Sequence, residues 1–243
     1  MDLIIAPGKC QEFAIALLEY LRTEGVQYLE LNSVRPDSLV STEVMPAAEV
    51  LGYSVSHENA DVSYEMKLNG QWESYLQTLR RKQRNQVHRT LRRLEETGKI
   101  GYRIVSDATE VEQQCNNFLH LHIASRQDKA EFMTQQMASY FRLLMKEMAT
   151  IGKIKLAFLE VDNTAIASTM CLEHSATVYL YNNGYDPNYR SFSVGFISKF
   201  MSIKDSIESQ MIKYDFLKGG EAYKQRMGGE KVQLYNYIIS LNK

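Results

Sequence analysis

Apolar positions recur with the period of a helix from Cys10 to Thr23, where Phe13, Leu17, Leu18 and Leu21 share one face. Before it, Leu3 to Ala6 is a short apolar run ending at Pro7-Gly8, which predicts a strand and a turn. Gly25 stops the helix, and Val26 to Leu31 predicts a second strand. Asp37 or Ser38 is placed to cap a helix running to about Val50. Alternation over Tyr53 to His57 and over Val62 to Leu68 predicts two more strands, followed by the turn signal Asn69-Gly70. Residues 1–70 therefore predict a small α/β unit.

The strongest helical pattern is Trp72 to Glu96, with Trp72, Tyr75, Leu76 and Leu79, then Val87, Leu91 and Leu94, at helical spacing. Gly98 stops it, and Gly101 to Val105 predicts a strand. Asp107 caps a helix to about Arg126, and Phe132 to Ile151 predicts another. Three strands follow: Ile154 to Val161, Ala165 to Leu172 and Thr177 to Tyr181. Asp162-Asn163 and Glu173 to Ser175 are the hairpin turns between them. A helix from about Val194 to Ser209, a strand from Ile212 to Leu217 and a loop at Lys218-Gly219-Gly220 come next. A short helix over Glu221 to Arg226 and a strand over Val232 to Ile239 close the chain. From residue 99 the order is β-α-α-β-β-β-α-β-α-β. Hairpins pair antiparallel and βαβ units pair parallel, so the prediction is an α/β chain (α+β in its mixed sheet) with helices on both faces. Residues 71–98 connect this unit to the first.

Composition narrows the class. The 243 residues are 44% hydrophobic and 23% charged, which excludes a disordered chain, a fibrous repeat and a disulfide scaffold. Lys+Arg is 28 and Asp+Glu 29, a net charge of −1, so the chain is not basic in bulk. Cys10, Cys115 and Cys171 are far apart and odd in number, as free thiols in a reducing compartment are. No secretory leader or long apolar span is visible, which predicts a soluble cytoplasmic protein.

Three pieces of sequence carry a resemblance. They are Trp72-x-x-Tyr75-Leu76 running into the basic stretch Arg80 to Arg93; Tyr185-Asp186-Pro187-x-Tyr189 followed by Ser193-Val194-Gly195-Phe196-Ile197; and Tyr214-Asp215-Phe216-Leu217-x-Gly219-x-Glu221-x-Tyr223-Lys224. Together with the element order they resemble the GNAT acyltransferase fold, and within it the CelD/BcsL-type acetyltransferase-like family of bacterial cellulose and exopolysaccharide biosynthesis. The resemblance implies a partial first GNAT-like lobe (1–70), a connecting basic helical segment (71–98) and a complete second lobe (99–243). It also implies a chain shortened at its N-terminus, with Met1 a fragment start. The chain departs from the family at Val194, where the family commonly has Pro, and at Met227, where it has Trp. It departs again at Ser125-Arg126, where Arg-Trp is usual. The segment Tyr223-Lys224-Gln225-Arg226-Met227-Gly228 is also similar to the closing motif of the FemAB-type aminoacyl transferases, which use aminoacyl-tRNA.

What the resemblance implies for chemistry is an acyl group moved from acetyl-CoA or another acyl-CoA to an amine or hydroxyl, with a sugar or polysaccharide precursor as acceptor. No metal is expected. Arg190, Ser193, Val194, Gly195 and Phe196 would hold the pyrophosphate at a helix N-terminus, where backbone N–H groups and the dipole favour anions. Lys224 would stabilise an oxyanion or hold an anionic substrate group. Tyr223 would shape the pocket or pack as a core aromatic. Asp215 would be a general base, orient Lys224 or form a structural pair, and Glu221 would cap the short helix or act as a base. His122, Arg126, Tyr185 and Arg84 are the expected acceptor-side residues. His122 is equally readable as a packed helix histidine, and it cannot share a metal with His120, about 200° away around a helix.

The seven Lys/Arg from Arg80 to Arg93 read as a solvated helix with Glu95 and Glu96, or as a surface for an anionic ligand. No GxSxG, HExxH, Walker loop, zinc spacing or DNA-reading motif occurs. Two alternatives remain beside the CoA enzyme: a FemAB-like transferase using aminoacyl-tRNA, and a non-catalytic module binding a glycan or partner. An exposed sheet edge in a shortened first lobe would favour a homodimer.

Overall fold

The computed structural model describes residues 2–68 and 70–242. Met1, the expected fragment start, Asn69 of the expected Asn69-Gly70 turn, and Lys243 lie outside the described residues. In chain order the elements are α1 (Cys10–Thr23), β1 (Tyr28–Val34), a π-turn (Val40–Val44) leading into α2 (Met45–Val50), and β2 (Ser54–Lys67). Next come α3 (Trp72–Thr78), α4 (Arg81–Glu95), β3 (Ile100–Val105), α5 (Ala108–Ser125), α6 (Gln127–Phe132) and α7 (Gln135–Thr150). The remainder is β4 (Ile154–Val161), β5 (Thr164–His174), β6 (Thr177–Tyr185), a 3-10 turn (Pro187–Phe192), α8 (Val194–Glu208), β7 (Lys213–Lys218), α9 (Ala222–Arg226) and β8 (Glu230–Ser240).

Two compact units emerge: Met1–Tyr64 with Lys218–Gly220 and Lys231–Lys243, and Glu65–Leu217 with Glu221–Glu230. In the first, β1 and β8 run antiparallel, with Leu29 opposite Ile239 and Leu31 opposite Tyr237. Ala14 and Leu18, one turn apart on α1, are buried with Val40, Val44, Ala48 and Ile239. Burying a Leu or Ile side chain contributes about 1.5–3 kcal/mol, so these few residues hold α1 onto its sheet.

Four expectations change. Leu3 to Ala6 forms no strand, because nothing ladders with it; Asp2 instead accepts from the backbone of Leu39 and Val40 at 3.2 and 3.4 Å. The two strands predicted across residues 53–68 are one strand, β2. The polar run between them lacks Gly or Pro to break it, and Gln233 and Asn236 of β8 bond to Asp61 O and the Glu58 carboxylate. The helix predicted over 72–96 is two, since Leu79 and Arg80 are extended and Leu79 is buried there. The helix predicted from Phe132 begins instead after Thr134, whose hydroxyl accepts from Met137 N.

The second unit carries the mixed sheet, in the order β7-β6-β5-β4-β3. The pairs from β3 to β6 are antiparallel, and β6 pairs parallel with β7 after the α8 crossover. Asp162-Asn163 and Ser175-Ala176 make the hairpin turns with positive φ, as two-residue turns with the strand twist require. Alternation sorts the faces. Ile154, Leu156, Phe158 and Met170 pack with Phe118, Phe141 and Met145 of α5 and α7. Lys155 and Cys171 point the other way and meet Asp205 and Ser202 of α8 at 3.1 and 3.4 Å. Helices thus cover both faces. Asp107 caps α5 as predicted, accepting from Thr109 N and Glu110 N. No helix among the described residues is long and apolar enough to cross a membrane.

Candidate active site

Two local features open a cleft in the second unit. A β-bulge places Tyr181 out of register, since Cys171 opposes Leu180 while Met170 opposes Asn182. Among the described residues, β6 and β7 pair only from Thr177–Tyr179 against Lys213–Asp215. Past that point lies a cavity of about 330 Å³ lined by Tyr185, Arg190, Ser193, Val194, Gly195, Phe196, Lys199 and Tyr223.

The N-terminus of α8 forms one wall. Ser193 O accepts from Phe196 N and Ile197 N at 2.8 and 3.1 Å, but the amides of Val194 and Gly195 have no partner among the described residues. Ser193 itself stands at φ +50°, a left-handed conformation that suits glycine, and its side chain caps nothing. A Cβ on Gly195 would come within 3.0 Å of the Tyr185 ring, so a larger side chain there presses on the cavity wall. Two free amides, the dipole of a helix of fifteen residues and the exposed Arg190 suit a pyrophosphate.

Behind the cavity-lining Lys199, a set of polar contacts gathers on Asn183. Its main-chain oxygen accepts from Nδ1 of His122 at 3.0 Å and from Nζ of Lys129 at 2.5 Å. Its Oδ1 accepts from Nζ of Lys199 at 3.2 Å. Gly184 makes this possible, because a Cβ there would collide with the backbone of Leu121 and His122 on α5. Lys199 also donates to Gly195 O at 2.8 Å and lies 4.7 Å above the Tyr223 ring. It is 7% exposed. Burial, then the charge of Lys129, lowers its ammonium to about 7. Burial, then Arg126, lowers Lys129 to about 8. Burial, then Lys129, holds His122 near 4, so its ring is neutral at pH 7. Its Nε2 is buried without a hydrogen-bond partner among the described residues.

The expected catalytic residues form a strut beside the cavity. Lys224, 2% exposed, donates to Leu217 O at 2.9 Å and pairs with Glu221 at 2.9 Å. Glu221 occupies the N-cap position of α9, but its carboxylate bonds Lys224 rather than the helix amides. Burial pushes that carboxyl up, and the Lys224 hydrogen bond outweighs it, leaving it below the usual carboxylate range. Asp215 accepts from Leu217 N at 2.7 Å and so holds the positive-φ turn at Leu217. Burial raises the Tyr223 phenol above its ordinary value. Of the expected acceptor-side residues, Tyr185 lines the cavity and His122 reaches Asn183. Arg126 is exposed and paired with Asp128 at 2.8 Å. Arg84 donates to Gln77 O at 3.1 Å, at the end of α3.

Sequence reasoning missed Asn183, Lys129 and Lys199. Lys199 had a readable signal: it falls between Phe196 and Ile203 on the buried side of α8, where a charge is out of place. The three cysteines are free, and burial pushes the Cys171 thiol up to about 11. Among the described residues no three His, Cys, Asp or Glu side chains gather as a metal site.

A family model described as an acetyltransferase (GNAT) domain matches residues 81–225, more than half of the chain. Solved structures agree on the fold. A crystal structure of FemX superposes with a TM-score of 0.67 at 10% identity, over 93% of this chain and 75% of that one. A conserved protein of unknown function from Bacteroides thetaiotaomicron gives 0.62 at 14%, over 96% and 75%. The C-terminal domain (DUF2156) of a lysylphosphatidylglycerol synthetase-like protein from Agrobacterium fabrum gives 0.64 at 10%, over 98% and 75%. No curated protein matches the sequence.

Proposed function

Since the chain belongs to the acetyltransferase (GNAT) domain family, we propose that it transfers an acyl group from an acyl-CoA thioester to an amine or hydroxyl on a sugar or polysaccharide precursor. The observation that carries this reading is the 330 Å³ cavity at the start of α8, where the free amides of Val194 and Gly195, Arg190 and a buried lysine converge. The thioester supplies an activated acyl carbon, so the protein need only hold the pyrophosphate, orient the acceptor and move a proton. Val194, Gly195 and Arg190 hold the phosphates, with Phe196 beside them and Ser193 supplying the left-handed turn that presents the two amides. Tyr185 and Tyr223 offer ring faces to the acceptor. Lys224, Glu221 and Asp215 fix the end of β7 and α9, which sets Tyr223 in the cavity wall. The acceptor class follows the CelD/BcsL-type resemblance, and a protein of this kind works in the cytoplasm.

Calorimetric titration with acetyl-CoA tests the donor, beside a Gly195→Glu variant that puts a carboxylate against the expected phosphates. Heat in the wild type that disappears in the variant is the expected outcome. No heat from folded wild-type protein would sink the reading. A second reading, transfer from aminoacyl-tRNA, is favoured by a groove of about 550 Å³ along α4 lined by Arg81, Lys82, Asn85, Gln86 and Arg89. It requires tRNA retention at low salt that falls steeply as salt rises.

A further inference from the structure

Acyl transfer needs a group that removes a proton from the nucleophile, and the side chains nearest the cavity are mostly committed elsewhere. Asp215 is bonded to Leu217 N, and Glu221 to Lys224. The free Nε2 of His122 sits among Phe118 and Phe141, and His122 is not among the residues lining the cavity. Lys199 does line the cavity, is nine-tenths buried, and has no carboxylate in ion-pair contact among the described residues. A neutral amine has two N–H donors and one lone pair. The two protein acceptors of Lys199, Gly195 O and Asn183 Oδ1, match those two donors and leave the lone pair for a third partner.

We propose that Lys199 is the general base, taking the proton from the acceptor's amine or hydroxyl as the acyl group is transferred. This rests on the acyl-CoA reading above. The acceptor nitrogen or oxygen bonds to the thioester carbonyl carbon, and its proton passes to Nζ of Lys199. The carbon–sulfur bond breaks, the electron pair leaves on sulfur, and the thiolate takes a proton from Lys199, which returns to the neutral amine. The Tyr223 ring, 4.7 Å below Nζ, attracts the ammonium as it forms.

Burial and neighbouring charge prepare the base. The ionisable groups around it are Lys129 on α6, His122 on α5, Tyr185 on β6, and Glu221, Tyr223 and Lys224 at α9, with Arg190 on the cavity rim. Lys129 and Lys224 favour the neutral amine, and Glu221 opposes them. The resulting titration near 7 suits proton transfer at neutral pH.

The test begins without substrate. The full chain, labelled with ¹³C-lysine and sequentially assigned, is titrated by NMR through the lysine Cε signals. The expected result is a Lys199 signal that titrates near 7. Lys129→Gln should move it to higher pH and Glu221→Gln to lower pH. A Lys199 that titrates with ordinary lysines overturns the proposal, whatever acetyl-CoA does. In turnover, Lys199→Arg should lower kcat by about 10²-fold or more with little change in acetyl-CoA affinity. The rising limb of the wild-type pH profile should move with the same two charge variants. Unchanged turnover in a folded Lys199→Arg protein also overturns it. Failure of the wild type to bind acetyl-CoA instead removes the donor reading and the role with it, a result the lysine titration keeps distinct.

Discussion

Two lysines enter the same unit and meet opposite fates. Lys155 leaves β4 toward α8 and ends between Glu173 and Asp205, at 3.0 and 3.1 Å. Burial works against its charge, but the two carboxylates outweigh it, and its ammonium titrates above the ordinary lysine value. Lys199 leaves α8 and finds a carbonyl, an amide oxygen and a ring face, with a second lysine nearby. There burial wins and the titration falls. Burial alone does not decide a lysine's charge; the presence of a carboxylate at contact distance does. One arrangement ties a helix to a sheet, and the other leaves a proton acceptor in a cleft.

The largest way to break this contrast is through the seal on the Lys199 side. Gly184→Ala forces a Cβ against the α5 backbone at Leu121 and His122. Neither strand nor helix can give locally, so the variant should lose about 3 kcal/mol in urea unfolding. Equal stability would show that α5 backs away freely and that Asn183 is not held by close packing.

The next test compares the two lysines by the sign of their pH dependence. Lys155 has a folded value above its unfolded one, so it stabilises below the unfolded value and loses that contribution as pH rises through the folded value. Lys199 has a folded value near 7, below its unfolded one, so it opposes folding at low pH and that opposition fades as pH rises from about 7 toward 10. Lys199→Met should therefore remove a positive slope of at most about 1.4 kcal/mol per pH unit across that window. Asp205→Asn should cost about 1 kcal/mol near pH 7, the pair being partly exposed, with the difference shrinking at strongly alkaline pH, where Lys155 loses its proton, and in acid, where the carboxylate gains one. Urea midpoints at pH 6, 8 and 9.5 separate the two; parallel profiles for both variants would refute the contrast.

The smallest expected effect is at Ser193. Glycine suits φ +50°, and the serine side chain caps nothing. Ser193→Gly should change stability by no more than about 1 kcal/mol, in the stabilising direction, and should leave acetyl-CoA binding intact. A clear loss of binding would assign the hydroxyl a direct role.

Much of the second unit was legible because its cues are local. The hairpin turns, the Asp107 cap and the amphipathic run from Val194 each depend on neighbours within a few residues. That Arg190, Ser193, Val194, Gly195 and Phe196 share one site was legible for the same reason, since they fall in one continuous loop and helix start, and they line one cavity. The break at Leu79-Arg80 was not, because no Gly or Pro marks it and the gain comes from burying Leu79. The tandem Lys224 and Glu221 were readable as a motif, but not their pairing around Leu217 O.

The strand and helix alternation of the second unit, and so its mixed sheet and its family, follow from periodicity, turn residues and motifs that the sequence carries in short stretches, whereas the missing strand at Leu3 to Ala6, the single long β2 and the split at Leu79-Arg80 do not. Tertiary structure alone decided that Asn183, Lys129 and Lys199 meet, since they lie on a strand and two helices far apart in sequence. It also decided that β8 returns to pair with β1. The physical reason is common to both. Strand pairing across long separations, and the charge state of a buried amine, depend on which groups the fold brings within a few ångströms, and no local pattern encodes that.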